Sequence, residues 1–130
     1  MTLNNALKTS STGLAAERFR MDVISANIAN SNSMQIGGQM PYRRRVVELM
    51  GTPEGVTINR VSQDSRPFRQ VYEPGNPYRN PVTNMVTYSN VEPVEEMVNM
   101  MSASRAYEAN IAAFNSAKGM IRSALNIGKV

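Results

Sequence analysis

The residues best suited to chemistry are the acidic pair Glu95 and Glu96 and the arginines Arg43, Arg44, Arg45, Arg66 and Arg69. Paired carboxylates can divide general acid and base work only when both reach one substrate. Consecutive helical residues point about 100° apart, so Glu95 and Glu96 are expected not to converge. At a helix start, two acids instead complement the positive end of the macrodipole. The chain has no cysteine and no histidine. That excludes a thiolate nucleophile, a disulfide and a zinc–thiolate site, and removes the commonest general base and transition-metal ligand. "GGQM" at 37–40 lacks the pattern and the following Lys-Ser/Thr of a phosphate-binding loop. Neither an enzyme, a cofactor nor a small-molecule substrate is expected.

With Arg60, Arg79 and a net charge of +4, the arginines suggest a basic nucleic-acid-binding module. Successive strand residues face opposite sides, however, so Arg43–Arg45 make no single patch. The chain has no tryptophan and no recognised RNA-binding motif. Ion pairs between subunits are the preferred role for Arg43, Arg44, Arg45, Arg66 and Arg69, with nucleic acid not expected as a partner. A helical adaptor protein is a further alternative.

The positions of these residues depend on three zones. In the first, residues 3 to about 32, Leu3, Leu7, Leu14, Met21, Ile24 and Ile28 form a heptad-like stripe. The spacing predicts a firm helix from Leu14 to about Asn30. "TSSTG" at 9–13 forms helix poorly, so the segment before Leu14 is expected to fray without a partner. In the second zone, "YRRRVVEL" (42–49) and "GVTINRVS" (55–62) read as strands around a "MGTPEG" hairpin loop. "FRQVY" (68–72) and "MVTYS" (85–89) are two more strands, and the prolines of "PGNPYRNP" (74–81) impose a loop.

The third zone is a long helix. Pro93 fits its first position, Glu95 and Glu96 its first turn, Lys118, Arg122 and Lys129 lie toward its end, and Gly128 is a stop. Its stripe runs through Met97, Met100, Ala103, Tyr107, Ile111, Phe114, Ile121 and Leu125. About 34 helical residues span roughly 50 Å, whereas a compact chain of this length is about 36 Å across. An elongated subunit is therefore expected: mainly α, with a long antiparallel, coiled-coil-like pair of N- and C-terminal helices and a small β-rich insert. The helix pair comprises 1–33 and 91–130, and the insert 34–90. Leu14, Met21, Ile111 and Phe114 are expected at the central seam, with Ile28 near Met97 and the register known to about one turn. Each helix offers only one stripe to the other, so the surplus apolar surface is expected to contact other subunits. No run of 18 apolar residues occurs, so membrane insertion is not expected. "MTLNNALKTSSTG" shows no basic segment followed by an apolar one, so no cleaved signal peptide is expected.

Two terminal heptad helices around a β-rich insert resemble the plan of bacterial flagellar axial proteins. "GLAAERFRMDVISANIANSNS" (13–33) is similar to their N-terminal rod motif, with the Asn-X-Ala-Asn signature at Asn27, Ile28, Ala29 and Asn30. "VEPVEEMVNMMSASRAYEANIAAFNSAKGMIRSALNIGK" (91–129) resembles their C-terminal helix, with Arg105, Tyr107, Glu108 and Asn110 in the widely shared stretch. "EPVEEMVNM" before "SASRAYEAN", the segment "PFRQVYEPGNP" (67–77) and the short length resemble the proximal-rod type. Asn84 and Ser89 stand where that type often has Gly and Pro, and Glu73 and Asn76 where it has Asp and His. Asn84 tolerates positive φ, which would preserve the turn.

The resemblance implies a structural subunit of the basal-body rod, a helical drive shaft and export channel crossing the periplasm. It implies export without a cleaved signal, through the flagellar type III apparatus, and partners among copies of itself and other rod proteins. It implies terminal helices in the inner tube wall and the insert outside, with neither cofactor nor catalysis. Subunit packing would fall to Leu14, Met21, Ile24, Ile28, Met97, Met100, Tyr107, Ile111, Phe114, Ile121 and Leu125.

Overall fold

The computed structural model describes residues 2–128; Lys129 and the outermost residues of the two terminal spans, 1 and 130, lie outside them. Helix α1 runs Leu3–Ala29, strand β1 Arg45–Thr52, β2 Gly55–Gln63, β3 Arg69–Tyr72, β4 Met85–Tyr88 and helix α2 Pro93–Ile127. The two helices pack antiparallel, as expected. Asn27 meets Glu96 at one end and Gly13 meets Asn110 further along, within one turn of the expected register. β1 pairs with β2, and β3 with β4, each as a separate two-stranded antiparallel sheet in the stretch of chain that connects the two helices.

Helix α1 does not fray at 9–13. Thr2 caps its start by accepting the Asn5 N–H at 3.1 Å. The poor helix formers have tertiary partners that outweigh their propensity. The Thr12 hydroxyl donates to the Thr9 carbonyl at 2.7 Å and accepts the Val56 N–H at 3.1 Å, fastening the β1–β2 hairpin tip to the helix. Gly55 has φ +136°, and a Cβ there would lie 2.2 Å from the Thr12 hydroxyl oxygen, so only glycine fits. A Cβ on Gly13 would lie 2.9 Å from the Asn110 amide, so this glycine allows the close approach of α1 and α2. Gly13→Leu is expected to destabilise the chain by about 1–3 kcal/mol through overpacking. Thermal unfolding would measure the loss, and Asn110→Ala in the same chain should recover part of it by making room.

The hairpin differs from its expected boundaries. Met50, Gly51 and Thr52 belong to β1, leaving only Pro53 and Glu54 as the turn, with Thr52 opposite Gly55. Proline suits the first central position of a tight turn, so "MGTPEG" closes more tightly than a loop of that length would. At the other end, Tyr42–Arg44 stay out of β1 because side chains claim their backbone. Ser33 Oγ accepts the Tyr42 N–H at 3.0 Å, and Asn90 Oδ1 accepts the Arg44 N–H at 2.7 Å.

In the second sheet, Asn84 takes φ 56°, the left-handed conformation its residue type tolerates. Glu73 and Asn76 also have a local role. The Glu73 carboxylate accepts the Tyr88 hydroxyl at 2.8 Å and the Asn76 amide at 2.9 Å, tying the 73–76 turn to β4.

Candidate functional site

The structure concentrates its buried polar groups where the end of α1, the start of β1 and the first turn of α2 meet. Asn27 is fully buried on the last turn of α1. Its amide nitrogen donates to the Arg45 carbonyl at 2.9 Å and to Glu96 Oε2 at 3.1 Å. Its amide oxygen accepts the Tyr42 hydroxyl at 2.8 Å and the Arg45 N–H at 3.1 Å. Two donors and two acceptor positions are the whole capacity of an asparagine side chain, and all four are used. Asn30, one turn on, caps the helix by donating its side-chain amide to the Ala26 carbonyl at 2.7 Å. The two asparagines of the Asn-X-Ala-Asn signature thus have separate duties, a buried joint and a helix stop.

Glu96 is fully buried. It is therefore no solvated helix-start charge, while Glu95, one residue earlier, is only half-buried and turns toward Arg66, so the adjacent acids diverge. Arg44 approaches α2 from the side, and its fork spans the angle between them. Its Nε donates to Glu96 Oε1, and a second guanidinium nitrogen lies 3.8 Å from Glu95. A third contact reaches Asp64 Oδ2 at 3.0 Å. Arg66 makes a two-pronged pair with Glu95 at 3.0 and 3.2 Å and also pairs with Asp64 at 2.9 Å. Arg43 donates to the carbonyls of Asp64 and Arg66 at 2.8 and 2.9 Å, and its guanidinium lies 4.2 Å from the centre of the Phe68 ring. Among the described residues, no buried side-chain nitrogen or oxygen lacks a partner.

Burial alone would raise the Asp64 pKa, but the Arg66 backbone N–H and the guanidinium groups of Arg44 and Arg66 hold it below the usual aspartate range. A carboxyl lowered on folding adds stability above its unfolded pKa, about 3.9, and loses it as pH falls through the folded value. Stability should therefore hold through mild acid and decline below about pH 4. Asp64→Asn should flatten part of that acid limb when unfolding midpoints are measured from pH 7 to 2.

Of the expected inter-subunit arginines, Arg43, Arg44 and Arg66 engage groups of their own chain. Arg45 and Arg69 are exposed, beside Tyr42 and Tyr88 at 5.5 and 4.9 Å from the ring centres. Of the expected packing residues, Ile24 is buried. Leu14, Met21, Ile28, Met100, Tyr107, Phe114 and Ile121 are half-buried, while Met97, Ile111 and Leu125 are exposed. Gly13, Ala16, Val23 and Ile24 of α1 and Ala103 and Ala117 of α2 are the buried small and apolar residues of the helix pair. Asn110 of the C-terminal motif lies against Gly13, while Arg105 and Glu108 face solvent. Glu96, Asp64 and the four-bonded role of Asn27 were missed by the sequence reading. The only signal was polar residues embedded at helix ends.

Every charge in the cluster faces an opposite charge or a hydrogen-bond partner, which makes it a joint between the helices and the insert. Among the described residues, no group of acids could hold a metal ion, and no helix is long and apolar enough to cross a membrane.

Comparison with known proteins gives matches at both termini and along the whole chain. Residues 7–33 match the family described as "Flagella basal body rod protein". Residues 82–127 match "Flagellar basal body rod FlgEFG protein C-terminal". The chain is 37% identical to the flagellar basal-body rod protein FlgC of Bacillus subtilis, over 99% of this chain and 100% of that protein. It is 38% identical to that of Borreliella burgdorferi, over 98% of each. It is 37% identical to that of Salmonella typhimurium, over 99% of this chain and 100% of the relative.

Proposed function

The chain belongs to the flagellar basal-body rod proteins of the FlgC type, and on that premise we propose that it builds the proximal rod within the periplasm. It is a structural, non-enzymatic rod subunit, and its family assembles with other rod subunits. The proposal extends this to neighbours: copies of itself and other rod proteins meet along the helix pair. The terminal spans 1–33 and 91–130 form the axial core, lining the tube that serves as drive shaft and export channel. The insert, 34–90, lies outside. The subunit reaches its place through the flagellar type III export apparatus, without a cleaved signal.

One observation carries this reading. An antiparallel pair of helices of 27 and 35 residues leaves large apolar side chains of both helices exposed, among them Phe19, Met97, Val98, Met101 and Leu125. Such surface is normal for a subunit whose core is completed by its neighbours. Of the five arginines expected at subunit contacts, Arg45 and Arg69 are exposed and form no ion pair among the described residues, which suits them to charge contacts between subunits. Deleting the chain should leave cells without rods and non-motile, and restoring it should return both. Normal swimming in the deletion strain would refute the reading, as would steeply salt-dependent DNA binding by the purified chain.

A further inference from the structure

Helix α2 carries two apolar surfaces that α1 does not cover, one at each end. Val94, Met97, Val98 and Met101 share one helical face by their spacing, and each is more than half exposed. Glu96 and Ala103, on the opposite side, are fully buried, so this stripe faces away from α1. At the far end, the register that sets Gly13 against Asn110 brings the start of α1 level with about Met120. From Arg122 to Ile127 every residue is exposed, with Met120, Leu125 and Ile127 more than half so. This free tip and the stripe each extend about 10 Å along the helix axis.

The two surfaces complement each other in charge. Lys118 and Arg122 flank the tip, and the exposed Glu92 caps the end of α2 that carries the stripe; none of the three forms an ion pair among the described residues. The negative end of one helix macrodipole would also approach the positive end of the next. Resting on the rod reading above, we infer that the α2 tip of one copy docks on the Val94–Met101 stripe of a second copy. Because the two patches differ, the contact is heterologous. Each copy offers one of each, so the contact repeats from subunit to subunit and generates an array rather than a closed dimer.

The absence of cysteine gives a clean background for a test. Cells would carry Val98→Cys together with Leu125→Cys as their only copy, and their basal bodies would be oxidised and run without reductant. The expected result is a ladder of dimers and higher multiples, with each single variant remaining monomeric. Intact basal bodies containing the double variant only as monomer, or cross-linked to a different protein, would overturn the docking while leaving the rod reading standing. Absence of the unsubstituted chain from basal bodies would overturn both. A second arm does not depend on cysteines. Glu92→Lys and Arg122→Glu should each lower incorporation several-fold, and the two together in one chain should restore it. Reversals without effect, or a double variant worse than either single one, would overturn the docking.

Discussion

Replacing Glu96 with alanine is expected to destabilise the chain by about 3–5 kcal/mol, the usual cost of removing one partner from a buried ion pair. Its carboxylate is fully enclosed and accepts from both Arg44 and Asn27. Alanine would leave the Arg44 guanidinium mostly enclosed, with its Nε unpaired and only Asp64 at 3.0 Å and Glu95 at 3.8 Å to offset the charge. It would also leave one Asn27 donor proton without an acceptor. Arg44→Met with Glu96→Leu removes both charges and supplies apolar volume, so it should recover much of the loss. Denaturant unfolding of the single and double variants measures both effects. Equal loss in the two would mean that the fold depends on the charges for more than their mutual compensation.

Asn27→Asp should be at least as damaging, although it changes only one group. The amide nitrogen that donates to Glu96 at 3.1 Å and to the Arg45 carbonyl at 2.9 Å would become an oxygen facing two acceptors. Two carboxylates at that distance in a buried site cannot both ionise without a large penalty, so one should take up a proton near neutral pH. The expected signature is a variant that is least stable at high pH and partly recovers as pH falls, opposite to the parent chain's acid decline. Unfolding midpoints against pH would show this. A variant with the parent's profile would place Asn27 outside the joint.

These two residues show what the sequence revealed and what it concealed. Hydrophobic periodicity located both long helices, because large apolar side chains recur at helical spacing, and their length together with a connecting insert gave the antiparallel pairing and a register within one turn. The same periodicity overstated burial: Leu14, Met21 and Phe114 are half-buried and Ile111 is exposed. Several of the buried residues are small, and Gly13, Ala16, Ala103 and Ala117 carry little hydrophobic weight in any pattern. Propensity likewise argued against helix at 9–13, because it could not register the hairpin tip received by Thr12. The polar joint was hidden for a different reason. Glu96, Arg44 and Asp64 lie far apart in sequence, and a charged residue reads as solvated unless its distant partner is known. The Asn-X-Ala-Asn signature pointed to the right place through resemblance, and the four bonds of Asn27 supply its physical reason.

This chain is expected to enter the rod as an antiparallel helix pair locked by the joint at Asn27, Arg44 and Glu96. Electron cryomicroscopy of basal bodies purified from cells that depend on the chain tests it most directly. The account predicts that every copy in the rod density shows α1 and α2 side by side, with residue 27 within hydrogen-bond reach of residue 96. A rod density that lacks the chain, or one in which the two helices separate and residue 96 faces solvent, would contradict it.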